Sequence, residues 1–191
     1  MSALAYVADP VAVGAVVGAL ALILFAAAWH KLAEHDVFAG ALQAYQLLPV
    51  ALVPVAARVL PVLEAILGIA ILVPATRGPA LVCTALLMLG YACAMGVNLA
   101  RGRDQIDCGC GGDSHPLSWW LVARNAVLAA AALAVAGPTA DRGFEWLDGV
   151  TLIMGVLAFY ALYLMAEELL RQSSRLRQLR QSHVHEEGET H

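Results

Sequence analysis

Long apolar runs separated by short polar stretches dominate the chain. A helix needs about 20 mainly apolar residues to cross the hydrocarbon core of a bilayer. Five runs fit this requirement and predict five spanning helices, at residues 10–29, 53–73, 80–100, 119–136 and 149–165. The first is longer than the apolar core of a signal peptide and follows an acidic residue, so it is interpreted as a retained span.

The polar stretches between these runs predict how the spans connect. Residues 37–49 are less apolar and predict a short amphipathic helix at the membrane interface, ended by Pro49. The turn at 74–79 is short, so the second and third spans should form an antiparallel hairpin. Residues 101–118 are the only long polar stretch between spans, and Trp119 and Trp120 follow it as interfacial anchors.

These elements predict an all-α fold, a polytopic transmembrane helical bundle of four to five spans with a short interfacial helix. We expect residues 1–170 to form the bundle, with the polar loop at 101–118. The tail at 171–191 is too polar to bury; it should begin as a continuation of the last helix and end disordered.

Composition supports a membrane protein. The chain is 61% apolar and 14% charged, whereas a soluble domain carries roughly 25% charged residues. Its mean hydropathy is +0.73, so too few polar side chains remain to cover a core in water. The net charge is −4, and no basic stripe with interleaved aromatic residues is present, which argues against nucleic acid as a partner.

The basic residues predict an orientation in the cell (inner) membrane. With five spans, Arg77 and Arg142 fall on one side, and the rest of the 11 lysines and arginines on the other. By the positive-inside rule, the basic side is cytoplasmic. This places the N-terminus outside, and the C-terminal tail and the polar loop inside; a re-entrant segment would instead separate loop and tail. The basic side carries Lys31, Arg58, Arg101, Arg103, Arg124, Arg171, Arg175, Arg177 and Arg180.

Cys108 and Cys110 are the strongest candidates for chemistry. One glycine separates them in a glycine-rich loop, which permits a tight backbone and leaves the sulfurs accessible. A disulfide across so short a loop should be strained, and strained, exposed disulfides are the labile or catalytic ones. One hypothesis is therefore a thiol–disulfide oxidoreductase with these two catalytic cysteines.

Two other interpretations of the same cysteines remain open. They could be unreactive loop thiols, or metal ligands together with His115 and either Asp107 or Asp113. Structural zinc sites usually place two to four residues between paired cysteines, and no complete set of four ligands is evident here. The histidines and glutamates of the tail could bind a divalent metal loosely, although a solvated tail is the simpler interpretation.

Several polar residues within the predicted spans are candidate supporting residues. Glu64 lies deep in the second span, where an ionisable group usually faces the bundle interior with a partner; Lys31 and Arg124 are the candidates. The pair is either structural, or it tunes the thiols or a quinone site, a quinone being the one cofactor the sequence raises. Asn98 and Asn125 are expected to hydrogen-bond between helices.

Cys83 and Cys93 both lie on the third span. They are separated by about 15 Å along a helix axis and by about 80° around it. This is too far for direct thiol exchange, so we expect both to be small apolar packing residues.

The chain resembles the methylamine utilization protein MauE family, and more widely the DoxX-like membrane proteins, over about residues 12–136. The resemblance rests on Asn98-Leu99-Ala100-Arg101-Gly102-Arg103, Cys108-Gly109-Cys110-Gly111-Gly112, Arg124-Asn125, Lys31, Tyr45 with Pro49, and Pro61-Val62-Leu63-Glu64 with Gly68. It implies a membrane protein that works with a thioredoxin-like partner on disulfides of exported client proteins, notably methylamine dehydrogenase. Gly111 departs from the aromatic residue expected after the second cysteine.

The sequence thus leaves three hypotheses. They are a membrane thiol–disulfide redox protein, a metal-binding membrane protein that uses the same thiols, and a structural subunit of a larger membrane complex. The implied role concerns proteins outside the cytoplasm, whereas the charge count places the Cys-Gly-Cys loop inside. Either the loop folds back toward the outer face, or electrons cross the bilayer.

Overall fold

The structure is a computed structural model that describes residues 9–103, 106, 117–140, 146–165 and 168. In these residues the fold is all-α, with a single turn of 3₁₀-helix at Val50–Leu52. The six helices are α1 Pro10–Ala33, α2 His35–Tyr45, α3 Val53–Leu72, α4 Arg77–Ala100, α5 Trp119–Ala134 and α6 Trp146–Met165.

Helix α1 confirms the first predicted span and extends it to Ala33. Asp9 caps its N-terminus, where Oδ1 accepts hydrogen bonds from the backbone N–H groups of Val11 at 2.8 Å and Ala12 at 3.3 Å. Pro10 occupies the first helical position, where no N–H is needed. Local sequence therefore fixes where the helix begins.

Helix α2 is the predicted short helix between the first two spans. It ends at Tyr45, four residues before Pro49, because Gln46 adopts a left-handed backbone with φ of 50°. The helix buries Phe38, Ala41 and Tyr45 against the bundle. Its packed face and its polar residues, among them the exposed Gln43, agree with an amphipathic element.

Helices α3 and α4 form the predicted hairpin. Pro61 lies inside α3 without ending it. At the turn, Thr76 Oγ1 donates to the carbonyl of Ala70 at 2.7 Å, and Arg77 Nε donates to the carbonyl of Ile71 at 3.3 Å. These bonds occupy carbonyls that the end of α3 leaves without helical partners.

Four helices are long and apolar enough to cross a membrane: α1, α4, α6, and α3 together with the preceding turn, Val50–Leu72. Helix α5 has 16 residues and rises about 24 Å, which is less than the roughly 30 Å hydrocarbon core. It ends two residues before the predicted limit at position 136. The described part of the chain is therefore a bundle of four candidate spans and one shorter apolar helix.

The core lies where α1 packs on α3, α3 on α4, and α4 on α5. Its fully buried members include Leu24, Ile71, Leu81 and Ala132. Many other large apolar side chains point outward, among them Val55, Ile66, Leu86 and Met154. An apolar exterior on apolar helices of this length is the surface of a protein in lipid. The protein is accordingly a multi-span membrane protein.

Helix α6 approaches α1 along a strip of small residues. A Cβ atom added at Gly14 would lie 2.6 Å from Leu152 Cδ1, and one added at Gly18 would lie 2.5 Å from Val156 Cγ2. From the other side, a Cβ at Gly155 would lie 2.9 Å from Cβ of Ala15. Gly14 and Gly18 are four residues apart, the small-xxx-small spacing that lets membrane helices pack closely.

Candidate functional site

Three helices bring polar side chains together inside the bundle. Lys31 comes from the last turn of α1, Glu64 from the middle of α3 and Tyr91 from α4. Lys31 is 5% exposed and Glu64 is 0% exposed. Two opposite charges thus lie among apolar residues, where each needs the other.

The three side chains form one hydrogen-bonded group around a single carboxylate oxygen. Lys31 Nζ donates to Glu64 Oε1 in an ion pair. Tyr91 Oη donates to the same oxygen at 2.8 Å, and Lys31 Nζ lies 3.4 Å from Tyr91 Oη. Aromatic faces also surround the ammonium, since Nζ lies 4.5 Å from the ring centroid of Tyr91 and 5.3 Å from that of Phe38.

Glu64 also lines a cavity with several polar residues on its wall. Oε2 is buried and accepts no hydrogen bond from the residues that the structure describes. Glu64 lines a cavity of about 140 Å³, and the polar residues that share its wall are His30, Lys31, Tyr91, Arg124, Asn125, Tyr160 and Tyr163. At about 30 Å³ per water molecule, roughly four waters fit this volume and could donate to the carboxylate.

Of the two partners expected for Glu64, Lys31 is the one the structure pairs with it. Arg124 lines the same cavity, and its guanidinium carbon lies 5.6 Å from the ring centroid of Tyr163. Arg124 therefore contributes positive charge to the cavity and contacts α6. The structure brings both predicted ionisable residues, Glu64 and Arg124, to one site.

A larger, apolar cavity lies on another side of the same group. It has a volume of about 310 Å³, and Lys31 and Tyr91 line both cavities. The other residues around it include Phe38 and Tyr45 of α2, Leu60 of α3, and Leu87, Gly90 and Met95 of α4. Lys31 and Tyr91 thus lie between a cavity with polar residues on its wall and an apolar cavity.

The described ends of the long polar loop meet beside this apolar cavity. The N–H of Leu117 donates to the carbonyl of Ile106 at 3.1 Å. Leu117 belongs to a small buried cluster with Tyr45, Met95 and Leu121, against which Ile106 packs. Since Tyr45 and Met95 also line the apolar cavity, Ile106 and Leu117, which flank residues 107–116, lie next to its wall.

The predicted reactive residues themselves fall outside the described part of the chain. Cys108 and Cys110, with the alternative metal ligands His115, Asp107 and Asp113, lie in the segment 107–116. The histidines and glutamates of the tail also lie outside it. Within the described residues, no group of three or more His, Cys, Asp or Glu side chains is placed to hold a metal ion.

The predicted interhelical hydrogen bonds of Asn98 and Asn125 are not what the described residues form. Asn98 Nδ2 donates to the carbonyl of Ala94 at 3.0 Å, and Asn125 Nδ2 donates to that of Leu121 at 2.9 Å. Each amide bonds four residues back on its own helix, because that carbonyl is within reach without a partner helix. Both asparagines are buried.

Cys83 and Cys93 are both free and exposed on α4. The expectation that both are small apolar packing residues is wrong for the described part of the chain, because both side chains are exposed. The exposed Val82 and Leu86 lie near Cys83 on the same helix.

Tyr91 and Phe38 complete the buried site and were not anticipated from the sequence. The signal for Tyr91 is the one that singled out Glu64, a hydrogen-bonding group in an apolar span. For Phe38, the helical period of α2 places it on the buried face with Ala41 and Tyr45.

The fold and this site define a polytopic α-helical membrane protein. Where α1, α3 and α4 meet, it buries an ion pair whose net charge is zero. The family model described as "Methylamine utilisation protein MauE" matches residues 9–137. The chain belongs to this family.

Similar curated proteins extend the match over most of the chain. The methylamine utilization protein MauE of Paracoccus denitrificans is 40% identical over 153 residues, which cover 78% of this chain and 82% of that protein. The protein of the same name from Methylorubrum extorquens is 39% identical, covering 70% and 73%. That from Methylophilus methylotrophus is 36% identical, covering 78% and 80%. No solved structure gives a significant match.

Proposed function

We propose that this protein is an integral membrane thiol–disulfide redox protein that acts in methylamine utilisation. It assists disulfide formation in, or electron transfer to, a thioredoxin-like partner during the maturation of exported proteins of the methylamine dehydrogenase type. The observation that carries the proposal is the family match over residues 9–137, which includes the Cys-Gly-Cys sequence. The name of the curated relatives supplies the metabolic context.

The proposed reaction is thiol–disulfide exchange. A thiolate from Cys108 or Cys110 attacks a disulfide sulfur of the partner, forming one S–S bond while the partner's other sulfur leaves as a thiolate. The other cysteine of the Cys108–Cys110 pair then attacks the mixed disulfide and releases the partner. The partner's disulfide is thereby reduced to two thiols, and Cys108 and Cys110 are oxidised to a disulfide. The reverse sequence transfers a disulfide to the partner with the same balance of atoms and electrons.

The contacts at the ends of the loop support this role. The backbone hydrogen bond between Leu117 and Ile106, and the packing of both residues near Tyr45 and Met95, hold these two residues on the helical bundle. In addition, Arg103 Nη2 donates to Gln46 Oε1 at 2.6 Å, which ties the end of α4 to the end of α2. These contacts order the residues that flank the segment 107–116, and a partner that binds to an ordered surface loses less conformational entropy.

Trapping of a mixed disulfide tests the proposal. Cys110→Ser and Cys108→Ser are made in a protein that also carries Cys83→Ser and Cys93→Ser, so that each contains one thiol. One variant should accumulate a thioredoxin-like protein as an adduct that reductant releases on a non-reducing gel. The chain without cysteines is the matched control and should trap nothing.

The result that would overturn the proposal is specific. Suppose that neither single-thiol variant traps a partner, and that the double variant with both Cys108→Ser and Cys110→Ser still supports normal maturation of methylamine dehydrogenase. The protein then acts without thiol chemistry. The hypothesis of a structural subunit in a membrane complex would then replace it.

The proposed topology places the N-terminus outside the cytoplasm, and the loop and the tail on the cytoplasmic side of the cell membrane. It requires the shorter helix α5 to cross the bilayer together with the four longer spans. It rests on the distribution of arginine and lysine between the ends of the helices. A membrane-impermeant thiol reagent applied to intact and lysed cells, with Cys108 as the one remaining thiol, measures the side directly. Labelling in lysed cells only would support the orientation, and labelling in intact cells would reverse it for the loop.

A further inference from the structure

We propose that the apolar cavity between α2, α3 and α4 is a binding site for a lipid-soluble quinone. This inference rests on the proposed function, because a dithiol that becomes a disulfide must pass its electrons to an acceptor. It adds the chemical class of that acceptor and the place where it binds.

The size and surroundings of the cavity suit a ligand that arrives from the bilayer. Its volume of about 310 Å³ falls at the lower end of small-molecule sites, which begin near 300 Å³. Leu47 and Leu48 on its wall are each 40% exposed, and Gly90 is exposed with open space where a side chain would stand. Since the outer surface here is apolar, a lipophilic molecule reaches the cavity sideways from lipid.

The polar end of the cavity favours a neutral ligand with acceptor oxygens. An ammonium group has three N–H donors, and within the described part of the chain Lys31 directs two of them to Glu64 and Tyr91. The ammonium otherwise faces the rings of Phe38 and Tyr91, and Lys31 lines the cavity, so a ligand with an acceptor oxygen would take up the third donor. The charge of Lys31 is already balanced by Glu64, so an anionic lipid or fatty-acid carboxylate gains little there, whereas a quinone carbonyl accepts the hydrogen bond.

The same group can supply the protons that quinone reduction requires. A quinone becomes a quinol by taking up two electrons and two protons. Oxidation of the dithiol of the proposed function to one disulfide releases two electrons and two protons, so the exchange balances. Tyr91 and Lys31 are hydrogen-bonded to Glu64, and all three residues also line the polar cavity, from which protons given to the quinone can be replaced.

Titration of the purified protein in nanodiscs with decylubiquinone tests the site. The wild type should bind the quinone saturably. Gly90→Phe adds a large side chain to a residue of the cavity wall and should raise Kd at least about tenfold. Gly96→Phe is the matched control, because Gly96 lies on the same helix, has nothing within 4 Å of an added Cβ and lines neither cavity; it should bind like the wild type.

Three outcomes would overturn the inference. They are no saturable binding to the wild type, equal binding to Gly90→Phe, and a copurifying phospholipid that excess decylubiquinone does not displace. The first and third are read on the wild type, so the test does not depend on Gly90→Phe folding.

Binding to the Cys108→Ser, Cys110→Ser protein separates this inference from the proposed function. Quinone recognition by Lys31 and the cavity wall does not require the thiols, so this variant should bind with unchanged Kd. Quinone binding without partner trapping would refute the proposed thiol-redox function and retain the quinone site. Partner trapping without quinone binding would remove the site and leave the function.

Discussion

Lys31 and Glu64 lie 33 positions apart in the sequence and form a buried ion pair that joins α1 to α3. Tyr91 of α4 hydrogen-bonds to the same carboxylate oxygen. Three helices are therefore registered against one another at a single point. Apolar contacts in lipid are less specific, because lipid tails compete equally for an apolar helix face.

Removing one charge of this pair should destabilise the protein strongly. Lys31→Met or Glu64→Gln leaves the partner charged and buried, and we expect each to cost about 3–5 kcal/mol. The double variant leaves no buried charge and should recover most of that loss. Thermal unfolding in detergent compares the free energy of unfolding of each variant with that of the wild type. Arg58→Met is the control, because Arg58 is an exposed cation on α3.

If the double variant lost as much unfolding free energy as the two single variants together, the ion pair itself would not be what stabilises the bundle. That result would mean that each residue stabilises the bundle through contacts of its own. Arg58→Met should remain within about 0.5 kcal/mol of the wild type.

Tyr91→Phe should have a smaller effect than the loss of either charge. It keeps the ring beneath the Lys31 ammonium and removes the hydrogen bond to Glu64, for an expected cost of about 1.5–3 kcal/mol. Tyr160→Phe is the matched control, because the Tyr160 ring stacks on Tyr163 and its hydroxyl makes no hydrogen bond within the described residues. Equal unfolding temperatures for the two variants would argue against a structural role for the Tyr91 hydroxyl.

A side chain at Gly18 should push α6 away from α1. A Cβ atom there would lie 2.5 Å from Val156 Cγ2, so Gly18→Leu requires the two helices to separate. We expect a lower unfolding temperature and faster proteolysis between α5 and α6. Gly96→Leu, where an added Cβ meets nothing within 4 Å, should leave both unchanged.

A second substitution tests whether Val156 is the cause. Val156→Ala removes the contacting methyl groups and should restore part of the stability that Gly18→Leu loses. If it restores none, the defect of Gly18→Leu arises elsewhere, for example from contacts that its longer side chain makes with lipid-facing residues.

The sequence predicted the helices well because their signals are local. The start of α1 follows from Asp9 and Pro10, and the hairpin of α3 and α4 follows from two apolar runs with a short turn. The limits of α5 were less certain, since Trp119–Ala134 is two residues shorter than the apolar run and stops before Gly137. Where an apolar run outlasts its helix, hydropathy cannot place the end.

The site was predicted only in part, because pairing depends on how the helices rotate. Glu64 was singled out by its depth, but hydropathy offered Lys31 and Arg124 equally. Asn98 and Asn125 were expected to bridge helices, and their amides bond within their own helices. Cys83 and Cys93 were expected to be packing residues and are both exposed, since an apolar helix does not reveal which face meets lipid.

By itself, the sequence determined that the protein is a helical membrane bundle with one long polar loop that contains Cys108 and Cys110. That information is carried by composition and by the length of apolar runs, which are properties of consecutive residues. Only the tertiary structure decided that Lys31 and Tyr91 both donate to one carboxylate oxygen of Glu64. It also decided that Lys31 and Tyr91 line two cavities. Those contacts join residues from three helices, and their geometry depends on helix rotation and packing that no local pattern encodes.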